Sequence, residues 1–160
     1  MIILSIDPGF DKVGYAIFDK LEKKDPVFVT SGLIKTNPSD TITLRLKLIH
    51  DSLTSIIETY KPNTLVMEQL FMFKNQKTVI GVAQAQGSIM LLTSIYQLRL
   101  VFLTPLQIKQ IITGDGRADK TSVFKLVQLQ LKVVIKVKHD DEADAIACGL
   151  AFCFLNEQLL

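Results

Sequence analysis

Four acidic residues stand where side chains can do chemistry: Asp7, Glu68, Asp141 and Asp144. Asp7 closes an apolar run that starts at Ile2 and leads into Asp-Pro-Gly, the pattern of a strand followed by a turn. Glu68 closes a second run, after Leu65-Val66-Met67, where a lone acid is expensive to bury. Asp141 and Asp144 are three residues apart near a helix start and share one face. If the strand at 64–68 lies parallel beside the first, Asp7 and Glu68 meet outside the carboxyl ends of the sheet, where such sites form. Acids gathered in this way raise one another's pKa unless a cation neutralises them. Mg2+ suits such hard oxygen ligands, and two ions about 3.5–4 Å apart can clamp both oxygens of a displacement at phosphorus. Taken singly, each acid also has a plain reading. Asp before Pro-Gly is a turn residue, and Asp140 or Asp141 caps the last helix. Asp140 also stands four residues before Asp144, so either neighbour can present to a metal.

The elements that must position these acids follow from hydrophobic period. Strands are expected at 2–7, 13–19 and 28–35, with Gly9 and Gly14 marking the tight connection between the first two. Leu46, Ile49, Leu53, Ile56 and Tyr60 form one stripe of an amphipathic helix over 40–60, ended by Lys61-Pro62-Asn63. A buried strand at 64–68, a loop at 70–76, an uncharged helix at 78–98 and a strand at 100–103 follow. Thr104-Pro105 opens a helix with Pro at its first position. Residues 113–117 form a flexible glycine-containing loop, 119–131 a helix, and 140–158 the last helix. The order βββαβαβα plus further helix gives an α/β fold: a mixed five-stranded sheet with helices on both faces, in one domain spanning 1–160.

Composition agrees with a soluble globular chain and excludes several classes. The chain has 160 residues, 48% hydrophobic and 21% charged, so disorder and coiled coil are excluded. Cys148 and Cys153 in an apolar stretch read as buried thiols in a reducing cytosol and form neither a disulfide framework nor a zinc site. The start, from Met1 to Asp7, lacks a basic leader, and Gln84, Gln86 and Gln97 argue against a membrane span at 78–98. A cytoplasmic protein without a membrane partner is expected. Residues 99–138 hold eight Lys/Arg against Asp115 and Asp119, a net +6, whereas 139–160 carry five acids and no Lys/Arg. That asymmetry is either two solvated faces or a polyanion surface beside a cation site.

These residues resemble the RuvC family of Holliday-junction resolvases over the whole chain. The matching stretches are Ile6-Asp7-Pro8-Gly9 with Gly14; Glu68-Gln69-Leu70-Phe71-Met72-Phe73-Lys74-Asn75; Gln84-Ala85-Gln86-Gly87; Thr104-Pro105 with Ile108-Lys109; Thr113-Gly114-Asp115-Gly116-Arg117-Ala118-Asp119-Lys120; and Asp141-Glu142-Ala143-Asp144-Ala145-Ile146-Ala147. The resemblance implies an RNase H-like fold and a homodimer that resolves four-way DNA junctions by paired symmetric nicks, leaving 5′ phosphates. It implies Mg2+, with Mn2+ as substitute, and work beside the RuvA and RuvB branch-migration proteins. By the same resemblance Asp7, Glu68, Asp141 and Asp144 are the metal-binding catalytic acids, the family register favouring Asp141 over Asp140. Lys109 and Lys120 are the lysines near the scissile backbone, and Phe71 is the aromatic that stacks on an unpaired base. Phe73, Lys74 and Arg117 join the DNA-binding set, Phe73 with its role open. The family also puts its dimer contact around the helix at 78–98, where Gly81, Ala83, Ala85, Gly87 and Ser88 permit close approach. The C-terminal segment from Gly149 to Leu160 is unusually apolar and lacks the His often found there in relatives.

Other readings explain less. Asp7-Pro8-Gly9 with Gly14 also resembles the phosphate loop of actin-like ATPases and sugar kinases, but those need two such domains and leave Glu68, Asp141 and Asp144 unused. An RNase H-fold nuclease acting on RNA shares the fold. A non-catalytic junction-binding module would be expected to lose an acid, and all four are present.

Overall fold

The computed structural model describes residues 1–22, 24–69 and 76–155, with the backbone alone at 76–78. Five strands form one sheet: β1 (Ile2–Asp7), β2 (Lys12–Asp19), β3 (Val27–Lys35), β4 (Thr64–Glu68) and β5 (Arg99–Leu103). Their order is β3-β2-β1-β4-β5, so β1 is central. The first three strands form the expected antiparallel meander, while β1, β4 and β5 run parallel. The β1–β4 register pairs Ile6 with Met67, which brings Asp7 and Glu68 to neighbouring strand ends.

Strand alternation decides which face each acid occupies. On one face Leu4, Ile6, Ile17, Leu65 and Met67 pack against Ile49, Leu53, Ile57, Ala85, Ile89 and Leu92. Those come from α1 (Ile42–Tyr60) and α2 (Gln76–Ile95). On the other, Ile3, Ala16, Phe18, Val66 and Leu103 pack against Ile108, Ile112, Val123, Val127, Ile146 and Leu150. Those belong to α3 (Pro105–Thr113), α4 (Lys120–Leu131) and α5 (Asp140–Phe154). Asp7 has the parity of Ile3 and Glu68 that of Val66, so both acids belong to the α5 face.

Several local expectations change. The buried stripe of α1 is Arg45, Ile49, Leu53 and Ile57; Leu46, Ile56 and Tyr60 flank it, half-buried. The stripe is rotated because Arg45 finds polar partners inside it. Gly14 lies within β2, opposite Asp7, and not in the connecting turn. The 113–117 loop is tied down: Thr113 Oγ1 donates to Lys109 O at 2.8 Å, and Asp115 Oδ1 accepts from Arg117 N at 2.9 Å. Only Gly114, at φ +78°, uses glycine's freedom there, closing α3. Neither Asp140 nor Asp141 caps α5; His139 holds that position without a side-chain bond, and both acids sit in the first turn, where the helix dipole favours them. The last helix ends at Phe154, earlier than expected, and Gln76 belongs to α2. Among the described residues no helix is long and apolar enough to cross a membrane.

Candidate active site

Helix α5 lies directly on the sheet, and particular residues make that contact possible. Ser5, fully buried in β1, donates from Oγ to Ala145 O at 2.8 Å, with Ala16 O at 3.3 Å. A Cβ on Gly149 would lie 2.5 Å from Ser5 Oγ and from Phe18 Cε2, so only glycine allows this approach. At the helix start, Ser31 Oγ donates to Glu142 Oε1 at 2.6 Å and ties α5 to β3. These contacts carry Asp141 and Asp144 to the end of the sheet where Asp7 and Glu68 stand.

Two of the four acids, Asp7 and Glu68, are shifted by burial and by their neighbours' charges. Burial, then Glu68, Asp144 and Asp141 push the Asp7 carboxyl up to about 8, against partial relief from Lys120. Burial, then Asp144 push Glu68 up to about 7, relieved by Lys120 and Lys109. The charge of Asp141 bears on Asp7. That of Asp140 bears on Lys120.

Lys120 is the first residue of α4. The preceding Asp119 caps that helix, its Oδ1 accepting from Ser122 N at 2.9 Å. Lys120 Nζ donates to Asp144 Oδ2 at 2.5 Å. Burial opposes the ammonium's charge, but this bond and the charges of Asp144, Asp140 and Asp7 raise its pKa. Lys109, on α3, lines one cleft with Glu68, Lys120 and Asp144. Arg117 is exposed in the turn before α4. Phe71, Phe73 and Lys74 lie outside the described residues. Cys148, one turn beyond Asp144, is fully buried, and burial followed by the charges of Glu68, Asp7 and Asp144 holds it as a thiol.

The donor set fits a divalent cation. It is four carboxylates, two of them held against ionisation by burial and mutual repulsion, with lysine as the compensating charge. Among the described residues no three acids are drawn together tightly enough to hold an ion as they stand. Asp144 is turned to Lys120.

Sequence reasoning missed the supports of this site. Ser5 and Ser31 carried no signal, and Glu142 stood only inside a matched stretch with no role of its own, because their partners lie far along the chain. Arg45, Phe10 and Thr36 were likewise invisible. Arg45, a charged residue on a helix, is only 7% exposed.

Known proteins show the same plan. The family model described as "Crossover junction endodeoxyribonuclease RuvC" matches residues 3–153. A protein of that name from Petrotoga mobilis is 41% identical over 158 residues, 98% of this chain and 94% of that one. Another, from Halothermothrix orenii, is 41% identical over 150 residues, 94% of this chain and 90% of that one. The structure of Thermus thermophilus RuvC in complex with Holliday junction substrate superposes with a TM-score of 0.89 at 23% identity, over 96% of this chain and 93% of that one. At that identity it speaks for the fold.

Proposed function

The chain belongs to the RuvC family of crossover junction endodeoxyribonucleases, and from that premise we propose which of its residues cut the junction and how. Asp7, Glu68, Asp141 and Asp144 hold the divalent ion, Mg2+ with Mn2+ as substitute. The observation that carries this reading is that Asp7, at the end of β1, feels the charges of Glu68 at the end of β4 and of Asp141 and Asp144 at the start of α5.

When bound, the ion neutralises the phosphodiester and polarises the attacking water. The protein's own residues do the rest. Lys120 leaves Asp144 and turns to the phosphoryl oxygens, where charge grows as the 3′ oxygen departs and a 5′ phosphate is left. Lys109, across the cleft beside Glu68, supplies a second cation to the same strand. Arg117 and the basic 99–138 segment bind flanking phosphates, which dominate nucleic-acid affinity. Phe71 is the base-stacking wedge, with Phe73 and Lys74 beside it.

Paired symmetric nicks need two copies. Opposite its core side, α2 exposes Ile80, Leu91 and Ile95 at 56–66%, and Gly87 faces open space. This apolar, uncharged stripe suits a twofold contact between two copies of the chain. RuvA and RuvB are the proposed partners in branch migration, and the cytoplasm the proposed compartment.

The test is cleavage of a labelled mobile four-way junction, with and without Mg2+, beside a linear duplex of the same sequence. Paired Mg2+-dependent nicks in the junction alone are expected. Asp7→Asn should abolish them and keep junction binding. Binding without cleavage by the unmodified chain, in Mg2+ and Mn2+ and on a randomised junction core, would leave a binding module instead.

A further inference from the structure

Asp7 and Glu68 leave the sheet in different segments. Asp7 enters the 8–11 turn between β1 and β2, and Glu68 leads through 69–75 into α2. Phe10, in the first of these, packs on Gly81 of α2. A Cβ on Gly81 would lie 2.7 Å from Phe10 Cδ1 and 3.0 Å from Cγ, so the ring sits against the helix itself. The ring is also held from α1: Arg45 Cζ lies 3.7 Å from its centroid, a stacked cation–π contact.

Arg45 and Thr36 then fix the turn that carries Phe10. Arg45 Nε donates to Thr36 Oγ1 at 2.9 Å, and its Nη2 pairs with the Asp11 carboxylate. Thr36 Oγ1 donates to Phe10 O at 2.8 Å, and Thr36 N to Asp11 O at 3.0 Å. A buried guanidinium is retained only where its donors and its charge find partners, and here all of them belong to, or brace, one turn. The turn has no slack of its own, since a Cβ on Gly9 would lie 2.0 Å from Lys12 O.

We propose that Phe10, clamped between Arg45 and Gly81, is a positioning residue that holds the turn after Asp7 against α2, places the Asp7 carboxylate among the acids of the site and thereby sets the affinity of the site for its metal. This rests on the reading of those acids as ligands. The clamp touches no reacting atom; it ties the turn after one acid to the helix that follows the other.

Gly81→Ala separates this role from ordinary packing. Alanine is the better helix former, so propensity alone favours the variant. The added methyl overlaps a ring that Arg45 holds in place. Mn2+ binding followed by electron paramagnetic resonance should weaken by about tenfold or more, the scale at which small misplacements act. Single-turnover junction cleavage should fall in parallel at limiting Mn2+ and recover at saturating Mn2+, with unchanged junction affinity in chelator and no loss of melting temperature. Phe10→Ala and Gly81→Ala should not add, the double variant binding Mn2+ no worse than Phe10→Ala. Wild-type Mn2+ affinity in Gly81→Ala, additive losses, or a fall in melting temperature in step with affinity would each overturn the coupling. Asp7→Asn with undiminished Mn2+ binding would overturn the ligand reading and this proposal together. A weakened Asp7→Asn beside an unaffected Gly81→Ala overturns the coupling alone.

Discussion

Gly14 stands opposite Asp7 in the β1–β2 ladder, and a Cβ on Gly14 would lie 1.9 Å from the carbonyl oxygen of Asp141. The acid of the central strand and the acids of α5 are thus brought together across one absent methyl group. The obstacle is helix backbone, which cannot swing aside as a side chain can.

Gly14→Ala therefore lifts the first turn of α5. The expected cost is that of overpacking, about 1–3 kcal/mol. Cleavage should fall to background even at temperatures where the variant is fully folded by circular dichroism. Wild-type cleavage by a folded Gly14→Ala protein would show that the spacing at this point does not matter.

The acid cluster predicts how stability depends on pH. Asp7 at about 8 and Glu68 at about 7 titrate above their ordinary 3.8 and 4.5. A raised folded-state pKa gives a contribution that is full at acid pH and lost as pH climbs through the folded value. In chelator, the melting temperature should fall as pH rises from about 4 to about 8, most steeply between about 4.5 and 7, where both groups are ionised in the unfolded chain but protonated in the folded one, and level off above. Mg2+ should flatten the curve, and Asp7→Asn should remove much of the slope. A flat curve in chelator would mean that neither burial nor neighbouring charge raises these carboxylates.

Lys120→Ala removes a cation aimed at the reacting group. Single-turnover cleavage should slow by about 10²-fold, the cost of one stabilising donor, while junction affinity changes far less. Equal losses in rate and affinity would reduce Lys120 to one phosphate contact among several.

Leu91→Glu sets a charge in the exposed stripe of α2. Sedimentation should change from dimer to monomer, with unaltered circular dichroism because the side chain is already 56% exposed. Cleavage should convert from paired to single nicks. A persistent dimer would move the twofold contact elsewhere.

Much of this arrangement was legible in the chain because it is governed by local rules. Period-2 and period-3.6 patterns set the strand and helix order, and β4 beside β1 puts Asp7 next to Glu68. Thr104-Pro105 opens α3 as read, with a full capping box to Gln107. What escaped depends on contacts made after the elements meet. Gly14 reads as a turn glycine until α5 is laid upon it. The burial of Arg45 arises only when Thr36, Phe10 and Asp11 close around it. The choice between Asp140 and Asp141 hangs on helix rotation, which Ser31–Glu142 and the Gly14 contact help to set.

The central place of β1 has a bearing on how the molecule comes apart. Asp7 is the last residue of the central strand, whose neighbours β2 and β4 are themselves flanked on both sides, whereas β3 and β5 are the edges. Amides of central strands exchange with solvent through global unfolding, and edges through smaller local openings. The backbone carrying this acid is then among the last to open. Fraying at either border of the sheet leaves its address intact.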